Sequence, residues 1–168
     1  MSVMAFLARR RVALGFICGI AALVLARPTR ASLLLGAVIA AAGEAMRIWA
    51  AGHLEKSREV TTSGPYRFTR HPLYAGSAVI TLGFVIAARS LWVALLAAVY
   101  LALTYTAAMR REEAFLTAEF GAAYPDYKAG RLGGVARTFS LERAMRNREY
   151  RAVMGLLVAF AILWVRLR

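Results

Sequence analysis

The fold is decided by the stretch Gly64-Pro65-Tyr66-Arg67-Phe68-Thr69-Arg70-His71-Pro72-Leu73-Tyr74-Ala75-Gly76, which is basic and aromatic and leads directly into a long apolar run. Proline lacks a backbone N–H and disfavours helix in the residue before it, so a helix is predicted to begin at Pro72. The next three backbone N–H groups then lack helical partners, and such a helix start attracts anions. We therefore expect a site for a ligand with a negative group here, next to Arg67, Arg70 and His71.

The composition indicates a membrane protein. The 168 residues are enough for one domain, 60% of them are apolar, and the mean hydropathy of +0.55 is high for a soluble domain. A formal charge of +13 is also typical of nucleic-acid-binding proteins. Here, however, the basic residues lie between long apolar runs, so we expect membrane lipids as partners and no nucleic acid. With two histidines, and one cysteine inside an apolar run, we expect no metal site.

The apolar runs predict an all-α, polytopic membrane helical bundle of about five transmembrane helices, in a single domain over residues 1–168. The first run also resembles the apolar core of a cleaved signal peptide, but its tight connection to the second run favours a transmembrane hairpin. The five predicted spans are residues 12–26, 31–51, 72–88, 91–109 and 153–165.

Two further helical segments are predicted outside the spans. Good helix formers continue the fourth run out of the bilayer as far as Leu116, and Gly121, Pro125 and Asp126 are expected to break that helix. Ser140 is expected to cap a short helix that ends near Tyr150. Its basic side predicts a helix on the membrane surface near lipid phosphates, so residues 138–168 form a surface helix and the last span. The basic residues concerned are Arg143, Arg146 and Arg148.

Two charged residues lie inside the second predicted span. Glu44 and Arg47 are three positions apart, so they face the same side of a helix. Charges within a span are costly and by default indicate function. The alternative is a self-neutralising pair near the cytoplasmic end, with Arg47 extending its side chain to the interface. The sequence leaves both interpretations open.

The distribution of positive charge predicts the orientation. With five spans, sixteen lysines and arginines fall in segments 1–11, 52–71 and 110–151, and five fall on the other side. Because cytoplasmic loops carry the excess of positive charge, we expect a cytoplasmic N-terminus and an outside C-terminus, in a bacterial inner (cytoplasmic) membrane. The helix start at Pro72 and the acids Glu112 and Glu113 then meet on the cytoplasmic side, at the ends of adjacent helices.

The expected site combines a helix start that binds anions, two carboxylates and several tyrosine rings. A ligand with a carboxylate, an ammonium, ribose hydroxyls and a flat base matches each part. S-adenosylmethionine is such a ligand, and its sulfonium can lie against a tyrosine ring. No Gly-rich loop follows a strand, so a Rossmann-type site is not expected. Adjacent positions on a helix diverge by about 100°, so only one of the two acids points inward, and we favour Glu113.

Four parts of the sequence resemble the isoprenylcysteine carboxyl methyltransferase family: Gly64-Pro65-Tyr66-Arg67, the run Arg70-His71-Pro72-Leu73-Tyr74-Ala75-Gly76, the pair Glu112-Glu113, and Phe120-Gly121 with Tyr124 and Tyr127. The phospholipid N-methyltransferases are similar in the same region. The resemblance covers a core motif region of residues 47–128. Both groups are integral membrane enzymes that use S-adenosylmethionine, so the resemblance implies that cofactor here.

The resemblance also implies roles for individual residues. Glu113 is the expected catalytic residue. After Tyr127 the sequence departs from the family, because Ala129-Gly130-Arg131-Leu132-Gly133-Gly134 stands where many members have a Pro-Arg-Phe-like segment that helps to bind substrate. We assign the catalytic-site role of that arginine to Arg131. The residues implied to bind the cofactor are Tyr66, Arg70, His71, Pro72, Tyr74, Gly76, Glu112 and Glu113.

The resulting hypothesis is a carboxyl O-methyltransferase-like enzyme that methylates a lipophilic acceptor at the cytoplasmic membrane face. The acceptor is expected to be isoprenylcysteine-carboxylate-like or phospholipid-like. Methyl transfer needs alignment of donor and nucleophile with water excluded. Two rivals remain: an NADPH-dependent membrane reductase of the sterol reductase type, and a non-catalytic membrane protein that binds anionic lipid. Cofactor binding separates the three.

Overall fold

The computed structural model describes residues 3–132 and 137–167. Within them the chain is helical, without strands, as the apolar runs predicted. A single 3-10 turn, Gly64–Arg67, lies between the second and third helices. The α-helices are α1 (Val3–Leu25), α2 (Arg30–Ala51), α3 (Pro72–Ala88), α4 (Leu91–Phe120), α5 (Ala123–Lys128), α6 (Leu141–Arg146) and α7 (Tyr150–Val165).

The helix boundaries follow the sequence signals closely in the middle of the chain. Helix α3 begins at Pro72 and ends at Ala88, as predicted. Helix α4 runs on past the apolar part to Phe120, where Gly121 adopts a positive φ and ends it. By length and composition α2 and α4 are long and apolar enough to cross a membrane, whereas the apolar stretches Ala13–Leu25, Pro72–Ala88 and Tyr150–Val165 are shorter. The count of five spans therefore stays a prediction.

Two predicted boundaries near the C-terminus are wrong. Pro125 does not break the chain, because it lies in the first turn of α5, where a missing backbone N–H is tolerated. The helix capped by Ser140 ends at Arg146, well before Tyr150. Its start is as expected, since the Ser140 hydroxyl accepts a hydrogen bond from the Arg143 N–H at 3.2 Å. Arg148, with a φ of 63°, separates α6 from α7.

The longer helices alternate in direction. At one end of the bundle, the Arg27 N–H donates to the Ala88 carbonyl at 2.8 Å, which joins the α1–α2 turn to the end of α3. Arg166, just after α7, donates to the Val24 carbonyl at 3.0 Å at the same end. The opposite end therefore gathers the end of α2, the start of α3, the outer part of α4 and the start of α7. The sequence predicted that these segments share one side.

Helices α2 and α3 pack through glycines. Gly36 lies against Gly83, and Gly43 lies against Gly76, so the two backbones come into direct contact. A Cβ added at Gly43 would lie 2.7 Å from the Gly76 carbonyl oxygen and 2.7 Å from the Ile80 nitrogen. Small residues allow such close approach between apolar helices, and that contact fixes α3 relative to Arg47 on α2.

Replacing Gly43 with alanine is expected to destabilise the protein by about 1–3 kcal/mol, because backbone atoms have to move to admit the new methyl group. Gly19→Ala in α1 is the matched control, since a Cβ there has no atom within 4 Å. The control is expected to be neutral or to stabilise the helix by up to about 1 kcal/mol. The thermal unfolding midpoints of the two variants, measured in the same detergent, test both expectations. Equal midpoints for the two variants would contradict the glycine contact.

Candidate functional site

A cleft of about 790 Å³ lies at the end of the bundle where α2, α3, α4 and α7 meet. Its wall includes the loop after α2 and the two tyrosines of α5. Side chains from segments far apart in the sequence therefore face one space. Those that carry the argument below are Arg47, Glu55, Tyr66, Arg70, Tyr74, Ser77, Tyr105, Glu112, Tyr124, Tyr127, Asn147 and Glu149.

The start of α3 only partly matches the anion site that the sequence predicted. His71 is the residue before the helix, and Pro72 holds its first position. The Ala75 N–H, one of the three groups expected to be free, donates to the His71 carbonyl at 3.0 Å. The His71 ring makes no capping bond to the helix; its Nε2 lies 3.2 Å from Glu113 Oε1. The available N–H groups are thus fewer than expected, and the ring connects α3 to α4.

Glu113 is the centre of an ion-pair cluster. Arg70 Nη1 lies 3.1 Å from its Oε1, and Lys128 Nζ lies 3.0 Å from its Oε2. Together with His71, these contacts hold the start of α3 and the end of α5 against α4. Glu112, the neighbouring residue, faces the cleft instead. The two positions diverge by about 100° around the helix axis, so the residue pointing into the cleft is Glu112 and not the favoured Glu113.

Three tyrosines form much of the aromatic wall. Burial, and secondarily the Glu112 carboxylate, raises the pKa of Tyr66, so its hydroxyl stays protonated. Burial, with the Glu113 carboxylate adding to it and Arg70 opposing, raises the pKa of Tyr124 to about 12. Tyr124 is 3% exposed, and its hydroxyl lies near the Glu113 carboxylate without a well-aligned hydrogen bond to any group in the described part of the chain. The Tyr127 hydroxyl donates to the Tyr66 carbonyl at 2.6 Å and fixes the 3-10 turn.

The predicted cofactor residues divide into two groups. Tyr66, Arg70, Tyr74 and Glu112 line the cleft. His71, Pro72, Gly76 and Glu113 do not line it, although Glu113 contacts Arg70 and the His71 ring contacts Tyr74. Gly76 in particular packs against Gly43 and the Arg47 side chain, because only glycine leaves room for that contact. Which of the eight residues bind a cofactor stays a prediction.

Arg131, the second predicted catalytic residue, lies away from the cleft wall. Its Nη2 is 2.8 Å from Asp126 Oδ1, and the side chain is 66% exposed. The pair is local, five positions apart, and links α5 to the residue Arg131 just after it. Gly133 and Gly134, which the sequence grouped with it, lie outside the described residues. The structure gives Arg131 no contact with the cleft, so its catalytic role stays a prediction.

The sequence does not predict the ion pair that Arg47 forms with Glu149. Arg47 Nε donates to Glu149 Oε1 at 2.6 Å, and Arg47 also donates to the Ser77 hydroxyl. The expected partner, Glu44, lies farther off, with its Oε2 3.9 Å from Arg47 Nε. Glu149 is 102 positions from Arg47, and no local spacing could indicate that pair. The contact ties the start of α7 to α2 at the edge of the cleft.

The predicted lipid-facing role of the α6 arginines is wrong for Arg143. Its side chain is 15% exposed, and its Nε donates to Glu55 Oε1 at 2.8 Å. Arg146, on the same helix, lies 3.1 Å from the same oxygen. The hydrogen bond from Arg143 is the main reason that the pKa of Glu55 is lowered. Asn147 donates to the Ala51 and Leu54 carbonyls at 2.9 Å. Helix α6 therefore holds the loop that forms one wall of the cleft.

Sequence comparison now gives the family. Residues 14–123 match the family described as phospholipid methyltransferase. The chain belongs to this family. The match confirms the resemblance to the group of membrane methyltransferases that includes the isoprenylcysteine carboxyl methyltransferases. It includes the start of α3 and the pair Glu112-Glu113, and it ends before Tyr124, α6 and Glu149.

Two curated relatives of this phospholipid methyltransferase family member match over 89 residues. The cobalt-zinc-cadmium resistance protein CzcN of Cupriavidus metallidurans is 37% identical, and the nickel-cobalt-cadmium resistance protein NccN of Alcaligenes xylosoxydans xylosoxydans is 36% identical. The matched segment is 52% of this chain and 40% of each relative, so the chain spans well under two thirds of their length. No solved structure matches the chain.

Proposed function

We propose that this protein is a membrane methyltransferase that moves a methyl group from S-adenosylmethionine to a lipophilic acceptor. One observation carries the proposal: Tyr66, Arg70, Tyr74 and Glu112, all named from the resemblance, line a single cleft beside apolar helices. Family membership supports methyl transfer in general. The cofactor, the acceptor and the sidedness belong to the proposal.

The residues of the cleft fit S-adenosylmethionine. Its volume, about 790 Å³, lies within the range of roughly 300–1,000 Å³ found for small-molecule sites. The buried Tyr124 hydroxyl lies near the Glu113 carboxylate without a well-aligned hydrogen bond in the described chain, so a ligand atom can satisfy it. The wall offers both a guanidinium, on Arg70, and a carboxylate, on Glu112, as a zwitterionic ligand requires.

Each wall element has a chemical task in this proposal. Arg70 and the start of α3 bind the carboxylate of the cofactor, and Glu112 binds its ammonium group or its ribose hydroxyls. The faces of Tyr66 and Tyr74 flank the sulfonium. The loop held by α6 excludes water from the reacting groups, and the cofactor supplies an electrophilic methyl group. The chain itself then contributes mainly alignment, which suits a displacement reaction.

The proposed orientation has a cytoplasmic N-terminus and places the cleft on the cytoplasmic side of a bacterial inner membrane. Arg27, Arg30, Arg89 and Arg166 all lie at the end of the bundle opposite the cleft, whereas the basic loops surround the cleft. The positive-inside rule assigns the more basic end to the cytoplasm. An acceptor with an apolar tail then reaches the cleft from the adjoining bilayer.

A thermal-shift experiment on the purified protein in detergent tests the cofactor. S-adenosylmethionine and its demethylated product should each raise the melting temperature, and NADPH should not, because a ligand that binds only the folded state stabilises it. At a ligand concentration of 100 times Kd, the stabilisation is about 2.7 kcal/mol. A shift with NADPH alone would favour a reductase, and no shift with any of the three would favour a non-catalytic lipid-binding protein.

A further inference from the structure

The end of the bundle opposite the cleft carries a basic surface that the proposed function does not use. It is built from the α1–α2 turn, the start of α2, the residue that ends α3 and the residue just after α7. Each of these places holds an exposed arginine. The four residues form the arginine surface: Arg27, Arg30, Arg89 and Arg166.

Two hydrogen bonds bring the segments of the arginine surface together. The Arg27 N–H donates to the carbonyl of Ala88, the residue before Arg89, at 2.8 Å. The Arg166 Nη2 donates to the carbonyl of Val24, three residues before Arg27, at 3.0 Å. Segments from three parts of the sequence therefore present guanidinium groups at one place.

No acid offsets the charge of this surface. All nine acidic residues of the chain lie between positions 44 and 149, outside the segments that form this end. Among the described residues, none of the ion pairs includes a member of the arginine surface. At the cleft end, by contrast, Arg47, Arg137 and Arg143 are each paired with a glutamate. The arginine surface is therefore a concentration of positive charge without counterions.

Helix capping accounts for only one of the four arginines. A cation is favourable near a helix C-terminus, and Arg166 donates to the last turn of α1. Arg27 and Arg89 follow α1 and α3, but their guanidinium groups donate to no group in the described chain. Arg30 is the first residue of α2, where the helix dipole disfavours a cation. Arg89 also has a φ of 47°, in the left-handed region that favours glycine.

Two tryptophans place the arginine surface at the depth of lipid head groups. Trp92, in the first turn of α4, is 69% exposed, and Trp164, two residues before Arg166, is 60% exposed. Exposed tryptophans at the ends of apolar helices are typical of the membrane–water interface. The neighbouring guanidinium groups then lie at the level of the lipid phosphates.

We propose that the arginine surface binds the phosphates of anionic phospholipids in the leaflet away from the cleft. Guanidinium groups bind phosphate oxygens in bidentate pairs. A head group with a net negative charge is preferred over a zwitterionic one, because this end has no acid to repel it and no ammonium of its own offsets its charge. The lipid bridges the two turns and the end of α7. It is a stabilising partner and not the methyl acceptor, since the cleft lies at the opposite end.

Titration with two lipids tests this preference. The purified protein in nonionic detergent, without cofactor, receives dioleoylphosphatidylglycerol or dioleoylphosphatidylcholine, and the thermal unfolding midpoint is followed against the lipid mole fraction. The two lipids share their tails and their phosphate but differ in net charge. Phosphatidylglycerol should raise the midpoint by about 4 °C more than phosphatidylcholine does. Glycerol phosphate, which lacks the tails, should leave the midpoint unchanged, and an equal shift with it would overturn the assignment to lipid.

Matched double variants assign the effect to the arginine surface. Arg27→Gln with Arg89→Gln should raise the phosphatidylglycerol mole fraction at half-maximal shift about tenfold. Arg58→Gln with Arg110→Gln removes the same charge from exposed positions at the cleft end, where acids of the same segments lie close by. This control should titrate like the wild type. The midpoint in phosphatidylcholine shows whether each variant is folded.

Three results would overturn the proposal. They are an equal shift with both lipids in the wild type, an unchanged phosphatidylglycerol titration in the Arg27 and Arg89 variant, and equal losses in the two double variants. If the Arg27 and Arg89 variant does not fold, Arg30→Gln alone decides in the same titration and should raise the half-maximal mole fraction about threefold. The result is independent of the proposed methyl transfer, because no cofactor or acceptor is present.

Discussion

Replacing Arg47 with methionine is expected to lower the free energy of unfolding by about 3–5 kcal/mol. Methionine keeps most of the side-chain volume but removes Arg47, the one cation among the described residues that lies within 4 Å of the two buried acids, Glu44 and Glu149. It also removes the donor to the Leu73 carbonyl at the start of α3. Since whole domains are stable by only about 5–15 kcal/mol, this is a large part of the total.

Chemical denaturation in mixed micelles measures the loss. Arg110→Met, at an exposed arginine of α4, is the matched control and should change stability by less than about 0.5 kcal/mol. Adding Glu149→Gln to Arg47→Met should recover part of the loss, because one unpaired buried charge disappears. Additive losses in the double variant would show that Arg47 and Glu149 do not act as a pair.

The second large effect is expected on cofactor binding, where Glu112 and Glu113 should behave differently. Glu112→Gln removes a carboxylate from the cleft wall and should weaken S-adenosylmethionine binding about 10–100-fold, because a hydrogen bond to a charged group contributes about 1.5–3 kcal/mol. The stability of the cofactor-free protein should hardly change, since Glu112 makes no ion pair in the described chain.

Glu113→Gln should show the opposite pattern. It breaks the contacts to Arg70, His71 and Lys128 and should cost about 1–2 kcal/mol of stability, a value kept modest by the partial exposure of these groups. Cofactor binding should weaken less than in Glu112→Gln, because the change acts only by displacing Arg70 from its position in the cleft wall. Titrating the cofactor into both variants shows which of the two carboxylates binds it. Glu119→Gln, which removes an exposed acid of α4, is the control. Weaker binding by the Glu113 variant than by the Glu112 variant would restore Glu113 as the cleft residue.

The parts of the fold that the sequence predicts are those with local causes. Pro72 starts α3 because its own ring fixes the geometry, and Gly121 ends α4 because it tolerates a positive φ. The short turns between α1 and α2 and between α3 and α4 make each of these pairs antiparallel, and the distribution of positive charge predicts that the end of α2 and the start of α3 share one side. The same reasoning brings the start of α3 to the acids of α4, as the 3.2 Å contact between His71 and Glu113 shows.

The parts that the sequence does not predict depend on contacts between distant segments. Glu149 reaches Arg47, and Arg143 reaches Glu55 88 positions away, through the packing of α6 and α7 on α2. A cluster of arginines near apolar runs has the same pattern whether it faces lipid or binds an acid, so the sequence does not distinguish these two roles for Arg143. Likewise, the glycine of the His-Pro-x-Tyr-x-Gly run could not be recognised as the packing partner of Gly43 from one sequence.

The central claim is methyl transfer to a lipophilic acceptor, and one measurement tests it most directly. Membranes containing the protein are incubated with S-adenosylmethionine labelled in its methyl group, extracted with organic solvent, and both phases are counted. The wild-type protein should carry label into the organic phase, and membranes without the protein or with Glu112→Gln should show little. Label that stays in the aqueous phase, or organic label that is the same with and without the protein, would contradict the account.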